Sequence, residues 1–359
     1  MIADTLIPNV YSSDDQLDPR EVMSRELVRV GFSVQRLGSI ITADCDWGCC
    51  WISGTDTSFQ SHVAAKILKN KVHSRTLFSR LGLAHAKGRA FRRDQADDAR
   101  RFVRRLGRAV VKPGDGKQGH GVSVDINSDA FDQAWQNAWS HNQGRVLIEK
   151  FFSGEEARYL VIDGRCVAVV RRIPPTIYGD GVSSILQLVE KKNQIRAMNP
   201  HLMHKPIDLD PTRLFLLQSR GLDPAYVPAA HEKIVIDRKG NLSTGADSQD
   251  ITDIASSSYK SLVEDLARVL PGSHAIGIDI LATDHTADIS ENSYIIVEGN
   301  TNPDFLGHYY PMFGLRRDVF GILAESCMRH VRNRAEGAGM ASSPALLLSE
   351  DLRQKLVAA

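Results

Sequence analysis

The sequence predicts an α/β protein of the α+β kind, with a small N-terminal unit followed by two larger subdomains. Three observations carry this. Helix-period and strand-period apolar segments alternate from residue 18 to about 333. In the middle, a strand-like run ending in Lys112 opens a glycine-rich loop and resumes as a second strand rather than a helix. Further on, G-I-D-I (Gly277–Ile280) and V-E-G-N-T-N-P-D (Val297–Asp304) set acidic and amide side chains into two apolar runs able to pair side by side.

The elements follow in order. Asp18-Pro19 is a helix start, Asp as cap and Pro in the first turn. Val22, Met23, Leu27, Val28 and Val30 then form an apolar stripe up to Gly31, and Phe32 to Thr42 reads as a strand. Thr57-Ser58 can cap a helix through Val63, Ala64, Ile67 and Leu68, and another helix spans about 71 to 81. From Ala86 the expected sequence is a helix at Asp94–Arg105, strands at Arg108–Lys112 and Val122–Ile126, a helix at Ser128–Trp139 and a strand at Val146–Lys150. Phe151–Gly154 reads as a hinge. Strands are then expected at Tyr159–Ile162, Val167–Arg172, Lys233–Ile236, Ala275–Ala282 and Tyr294–Val297, and helices at Ser183–Ala197, Tyr259–Leu270 and Leu315–Arg332. Residues 200–226 show little readable pattern. The division is 1–70, 71–152, 153–335 and a tail, 336–359, rich at first in Gly, Ala and Ser, where about 347–357 can form a short helix.

Composition bounds the function. The 359 residues carry a formal net charge of +1, which argues against nucleic acid or an anionic membrane as the main partner. No run of about 18 apolar residues predicts a membrane span. The first residues lack a basic stretch followed by an apolar one, so a cytoplasmic location is expected. Five cysteines, an odd number, fit reduced thiols; Cys45, Cys49 and Cys50 cluster without a second Cys/His pair to complete a zinc set.

Chemistry is concentrated in a few places. On a strand Glu298 and Asn300 share a face while Gly299 points away, and Asp279 lies in the run that can pair alongside. Three hard oxygen donors then converge, which suits Mg²⁺ beside nucleotide phosphates. The loop Pro113–Val122, P-G-D-G-K-Q-G-H-G-V, has glycines at 114, 116, 119 and 121. These let backbone N–H groups approach phosphate oxygens, or form a flexible hairpin tip. The following strand rules out the patterns that need a helix N-terminus. Glu149 and Glu156 flank the hinge, whose backbone can bond an adenine edge.

Taken in order, Lys71, Lys112, the glycine loop, Glu149, Glu156, Asp279, Glu298 and Asn300 resemble the ATP-grasp ligases over residues 18–333. V-A-V-V-R-R-I-P-P-T-I-Y-G-D-G-V-S-S-I-L-Q-L-V (167–189), N-L-S-T-G (241–245) and N-P-D-F-L-G-H-Y-Y-P-M-F-G (302–314) are similar to the ATP-grasp module of cyanophycin synthetases and the glutathione synthetase module of bifunctional glutathione enzymes.

The resemblance implies an ATP-grasp fold with ATP held between two α+β subdomains. It implies that Lys71 and Lys112 bind phosphates, with the loop residues Gly114, Gly116, Lys117, Gln118, Gly119 and Gly121 closing over them. Glu149 and the backbone of Lys150, Phe151 and Phe152 would hold adenine, and Glu156 the ribose. Asp279, Glu298 and Asn300 would hold two Mg²⁺ ions, or Mn²⁺. Arg158, Arg171 or Arg172 would face the γ-phosphate or the substrate carboxylate, and Asn302 and His308 would line the acceptor side. The implied activity is ADP-forming amide or peptide ligation between amino acids or short peptides through an acylphosphate, in a homo-oligomer; the alternative is a non-catalytic ATP-binding regulator or scaffold. Three positions depart from the family pattern: Lys117 replaces an Asn, Ala246 a Gly, and Gly299 a bulky apolar residue.

Overall fold

Helix α1 (Pro19–Arg29) starts as predicted: the Asp18 carboxylate accepts the Arg20 N–H at 2.8 Å and Pro19 opens the first turn. The structure is a computed structural model that describes residues 7–12, 18–114, 121–141, 144–238 and 240–337. The single strand expected at 32–42 is two, β1 (Ser33–Leu37) and β2 (Ile40–Cys45), because the chain turns at Gly38 with φ +60°. With β3 (Gly48–Ser53) and β4 (Asp56–Thr57) they form an antiparallel meander. Val22, Leu27, Ile41 and Ile52 pack with Phe320, Leu323 and Cys327 of the last helix, so the N-terminal unit shares its core with the far end of the described chain.

Helix α2 (His62–Lys69) is capped by Ser61 rather than by Thr57-Ser58, since the Ser61 hydroxyl accepts the Val63 N–H at 3.2 Å. Helix α3 (Lys71–Arg80) follows. Strand β5 (Gly88–Phe91), α4 (Ala96–Leu106), β6 (Ala109–Pro113), β7 (Ser123–Ile126), α5 (Phe131–Ser140) and β8 (Val146–Lys150) build an antiparallel sheet in the order β5-β8-β6-β7. Its core is Phe91, Val103, Val111, Phe131, Trp135 and Ile148.

The remaining chain runs β9 (Glu155–Ile162), β10 (Arg165–Ile173), β11 (Thr176–Tyr178), α6 (Ile185–Ala197), α7 (Pro211–Gln218), β12 (Lys233–Val235), β13 (Asp247–Asp250), α8 (Ser257–Arg268), β14 (Ala275–Ala282), β15 (Tyr294–Thr301), α9 (Leu306–Tyr309) and α10 (Val319–Gly337). Five of these strands form an antiparallel sheet ordered β13-β10-β9-β14-β15. Strand β14 has the predicted ends, whereas β15 runs four residues beyond Val297 and takes Glu298–Asn300 into the strand itself. Helix α7 lies in the stretch that shows no pattern in the sequence; Asp210 caps it and Pro211 begins it. Residues 338–359, with the expected tail helix, lie outside the described residues.

Candidate functional site

The register of the five-stranded sheet places the predicted ligands. Gly277 stands opposite Asn300, and Asp279 opposite Glu298. Asp279 also faces Arg158 on β9, and Glu156 faces Arg172 on β10. Side chains two residues apart share a face, so Asp279, Glu298, Asn300, Arg158, Glu156 and Arg172 lie on one side of the sheet. The pairing slips between Asp279 and Ile280, which faces Ile296, leaving Val297 as the extra residue of a bulge next to the acidic pair.

Arg158 grips Asp279 with both arms of its fork, Nε to Oδ1 and Nη2 to Oδ2, each at 2.7 Å. Arg172 pairs with Glu156 and reaches Asp279 Oδ2 at 3.3 Å. Burial works against charge on Asp279, but Arg158 and then Arg172 hold its carboxyl below the usual range. Asn300 Nδ2 donates to Glu298 Oε1 at 3.3 Å. Two glycines allow this packing. A Cβ on Gly277 would meet the Arg158 Cδ at 3.2 Å, and one on Gly299 would meet Leu68 Cδ2 of α2 at 2.6 Å. The departure at Gly299 thus has a local cause: helix α2 presses its Leu68 onto the back of β15.

The facing wall is the four-stranded sheet. Lys112 is the penultimate residue of β6 and is buried, with its ammonium 2.7 Å from Glu149 Oε2 on β8. Arg75 of α3, one helical turn beyond Lys71, pairs with the other Glu149 oxygen. Burial, then the neighbouring cations Lys71 and Arg75, pull the Lys112 ammonium down to about 7; Glu298 and Glu156 act in the opposite sense. Residues on both sheets therefore lie within electrostatic reach of one ammonium. An Arg238–Asp125 ion pair at 2.5 Å and the Ile296 N–H donating to Ala84 O at 2.8 Å also link the two sheets' subdomains.

Several expectations are altered. Arg171 is on the opposite face from Arg158 and Arg172, bonded to Gln249 and, at 2.8 Å, to Glu155; strand alternation takes it away from the acidic row. The Glu149 side chain turns inward as counter-ion to Lys112 and Arg75, not outward to a base. At the hinge, the Lys150 N–H already donates to Lys87 O at 2.9 Å and the Phe151 N–H to Arg108 O at 3.1 Å. Arg108 also covers the Phe151 ring, 4.3 Å from its centroid. Asn302 Oδ1 accepts the Thr55 N–H at 2.7 Å and hydroxyl at 3.0 Å, so this oxygen ties the β3–β4 turn to the end of β15.

Gly116, Lys117, Gln118 and Gly119 lie outside the described residues. At the loop's two ends, the Gly114 N–H donates to Arg145 O at 2.7 Å and Gly121 has φ +70°. Among the described residues, no three His, Cys, Asp or Glu side chains gather as a metal cluster, and Cys50 is buried with Cys327 in the N-terminal core. No described helix is long and apolar enough to cross a membrane.

His308 is buried beyond the arginine row; burial and then Arg158 push its imidazole down to about 3, so it is neutral. Next to it the sequence reading missed His201, whose Nε2 is 2.9 Å from Asp304 Oδ2. It also missed Arg75, for which the signal was its i+4 spacing from Lys71 on one helix face.

The fold with this two-walled cleft is the ATP-grasp fold. Within that class, the chain is similar to a glutathione biosynthesis bifunctional protein GshAB of Desulfotalea psychrophila, 31% identical over 269 residues covering 73% of this chain and 34% of that protein. It is also similar to a cyanophycin synthetase of Trichormus variabilis, 32% identical over 218 residues, 60% of this chain and 24% of that enzyme. Among solved structures, a bifunctional glutathione synthetase from Pasteurella multocida superposes with a TM-score of 0.65 at 22% identity, covering 88% of this chain and 44% of that one. The chain thus spans about a third or less of the length of these curated relatives. No family model matches it.

Proposed function

We propose that the protein is an ATP-dependent carboxylate–amine ligase that joins amino acids or short peptides and releases ADP and phosphate. One observation supports this above the rest: Asp279, Glu298 and Asn300 stand in register on one face of the sheet, with Arg158 and Arg172 bonded to Asp279 beside them. In this reading Lys71 and Lys112 bind nucleotide phosphates, Glu156 meets the ribose, and the hinge carbonyls with the Phe152 N–H meet adenine.

The donor set fits magnesium. Two carboxylates and an amide oxygen, in register on one face, are hard ligands, and Arg158 must share Asp279 when a cation binds. Bound Mg²⁺ supplies neutralisation of phosphate charge. Arg158 and Arg172 orient the substrate carboxylate against the γ-phosphate and balance the charge that spreads as it attacks. Amine attack on the resulting acylphosphate then gives the amide. The buried imidazole of His308, neutral at working pH, lines the acceptor side without adding charge.

The test is ADP release over pairs of amino acids and short peptides with Mg²⁺, with mass spectrometry of the product. Pair-dependent ADP formation supports ligation; nucleotide binding without turnover across the panel would mark a non-catalytic ATP-binding protein instead. Cytoplasmic location and self-association belong to the same proposal, the latter checked by sedimentation.

A further inference from the structure

A cavity of about 330 Å³ lies between β11, α6 and the segment after α9. Ile173, Ile177, Leu188, Ile195, Met312 and Phe313 give it apolar walls, and Pro8 borders it. The strap carrying Pro8 is fixed beside it, with the Asn9 N–H donating to Met312 O at 2.8 Å. The cavity is not the cleft. Ile173 pairs with Asp247 while Arg172 pairs with Ser248, so Ile173 and Asp247 face the side of the sheet away from the acidic row.

One part of the wall is charged. Asp247 is buried and bonded to two cations, Lys192 at 2.5 Å and Arg196 at 2.5 Å. Among the described residues no other carboxylate pairs with either cation, which leaves one positive charge without a matching negative one. Arg196 also donates from Nη1 to the carbonyl of Ala246 and from Nε and Nη2 to that of Lys205. Lys192 borders the cavity and gives one proton to Asp247 and one to Thr176 O at 2.5 Å. An ammonium has three donors, so one is left. Lys191, also at the cavity, is answered by Asp180 at 3.1 Å. A partly buried surplus charge is costly unless an anion meets it.

We propose that this cavity is a second binding site, separate from the nucleotide cleft, for a small carboxylate with an apolar body. The carboxylate meets the Lys192 ammonium and the apolar part lies against Leu188, Ile195 and Phe313. The proposal stands independently of ligase activity.

Its test uses 3-phenylpropanoate and the matched alcohol 3-phenylpropan-1-ol, titrated without nucleotide into the full chain by calorimetry and by NMR. The acid should bind at least about tenfold more tightly than the alcohol, the scale of one charge-assisted hydrogen bond. Lys192→Met should erase that preference while leaving Asp247 paired with Arg196. Leu188→Trp, which narrows the cavity and keeps both lysines, should remove binding of both compounds in a protein that still melts well above the assay temperature. Equal affinity for acid and alcohol, no acid binding up to about 10 mM, or undiminished binding in Leu188→Trp would each overturn the site. ADP release is read separately, so failure here and failure of the ligase proposal are distinguishable.

Discussion

The two walls of the cleft solve opposite electrostatic problems. At the four-stranded sheet, Lys112 of β6 and Arg75 of α3 share one carboxylate, Glu149, and Lys112, with Lys71 as a further cation nearby, responds by losing basicity. On the five-stranded sheet, carboxylates and guanidiniums alternate across three strands, each held by a neighbour in register. The first wall carries surplus positive charge, which suits phosphates. The second is nearly self-neutral and rigid, and Glu298 and Asn300 at its edge are its least engaged donors. A site that receives a highly charged ligand benefits from one wall that needs it and one that is already ordered.

Substitutions can break this contrast. The largest effect is expected for Asp279→Ala, which strands Arg158 and Arg172 without their shared carboxylate. Turnover should vanish, and stability should fall by about 3–5 kcal/mol, as for other broken buried ion pairs. Denaturant melts check the second part. Glu298→Ala should cost turnover about a hundredfold or more while leaving the melting temperature nearly unchanged, because among the described residues the Glu298 side chain is held by the weak bond from Asn300; normal activity would refute its metal role. Arg172→Lys should cost about a hundredfold in kcat, and Arg171→Lys less than about threefold, since only the former lies on the acidic face. Equal losses would remove the distinction between the faces.

Two smaller effects sharpen it. Gly299→Ala should destabilise by about 1–3 kcal/mol through its clash with Leu68, and Leu68→Ala should partly relieve this in the double variant. Lys112, at about 7 in the free protein, is half charged at neutral pH. Phosphate binding favours the ammonium and raises its pKa, so nucleotide binding takes up a proton. ATP affinity should therefore weaken as pH rises above 7, by at most about tenfold per pH unit. Calorimetry in buffers of different ionisation enthalpy reads the proton uptake directly.

How much of this was legible in the sequence depended on whether the signal was local. Strand β14 was readable to the residue because G-I-D-I sits in an unbroken apolar run, and the Asp18-Pro19 helix start because capping acts over three residues. The face shared by Asp279, Glu298 and Asn300 follows from alternation and pairing and was readable for the same reason. Arg171 and Arg172 are adjacent and chemically identical, and only strand phase separates them. The inward turn of Glu149 depends on Arg75, from a helix some seventy residues earlier. The β1–β2 hairpin was read as one strand because its turn is marked by Gly38 alone. Gly299 looked like a departure until Leu68 was placed behind it.

The most direct measurement is ADP release with Mg²⁺ across pairs of amino acids and short peptides, run side by side on the wild-type protein and Glu298→Ala. The account predicts that at least one carboxylate–amine pair stimulates ADP formation in the wild type and that Glu298→Ala abolishes it while remaining folded. Stimulation that survives in Glu298→Ala, or nucleotide binding with no pair-dependent ADP formation in the wild type, would contradict it.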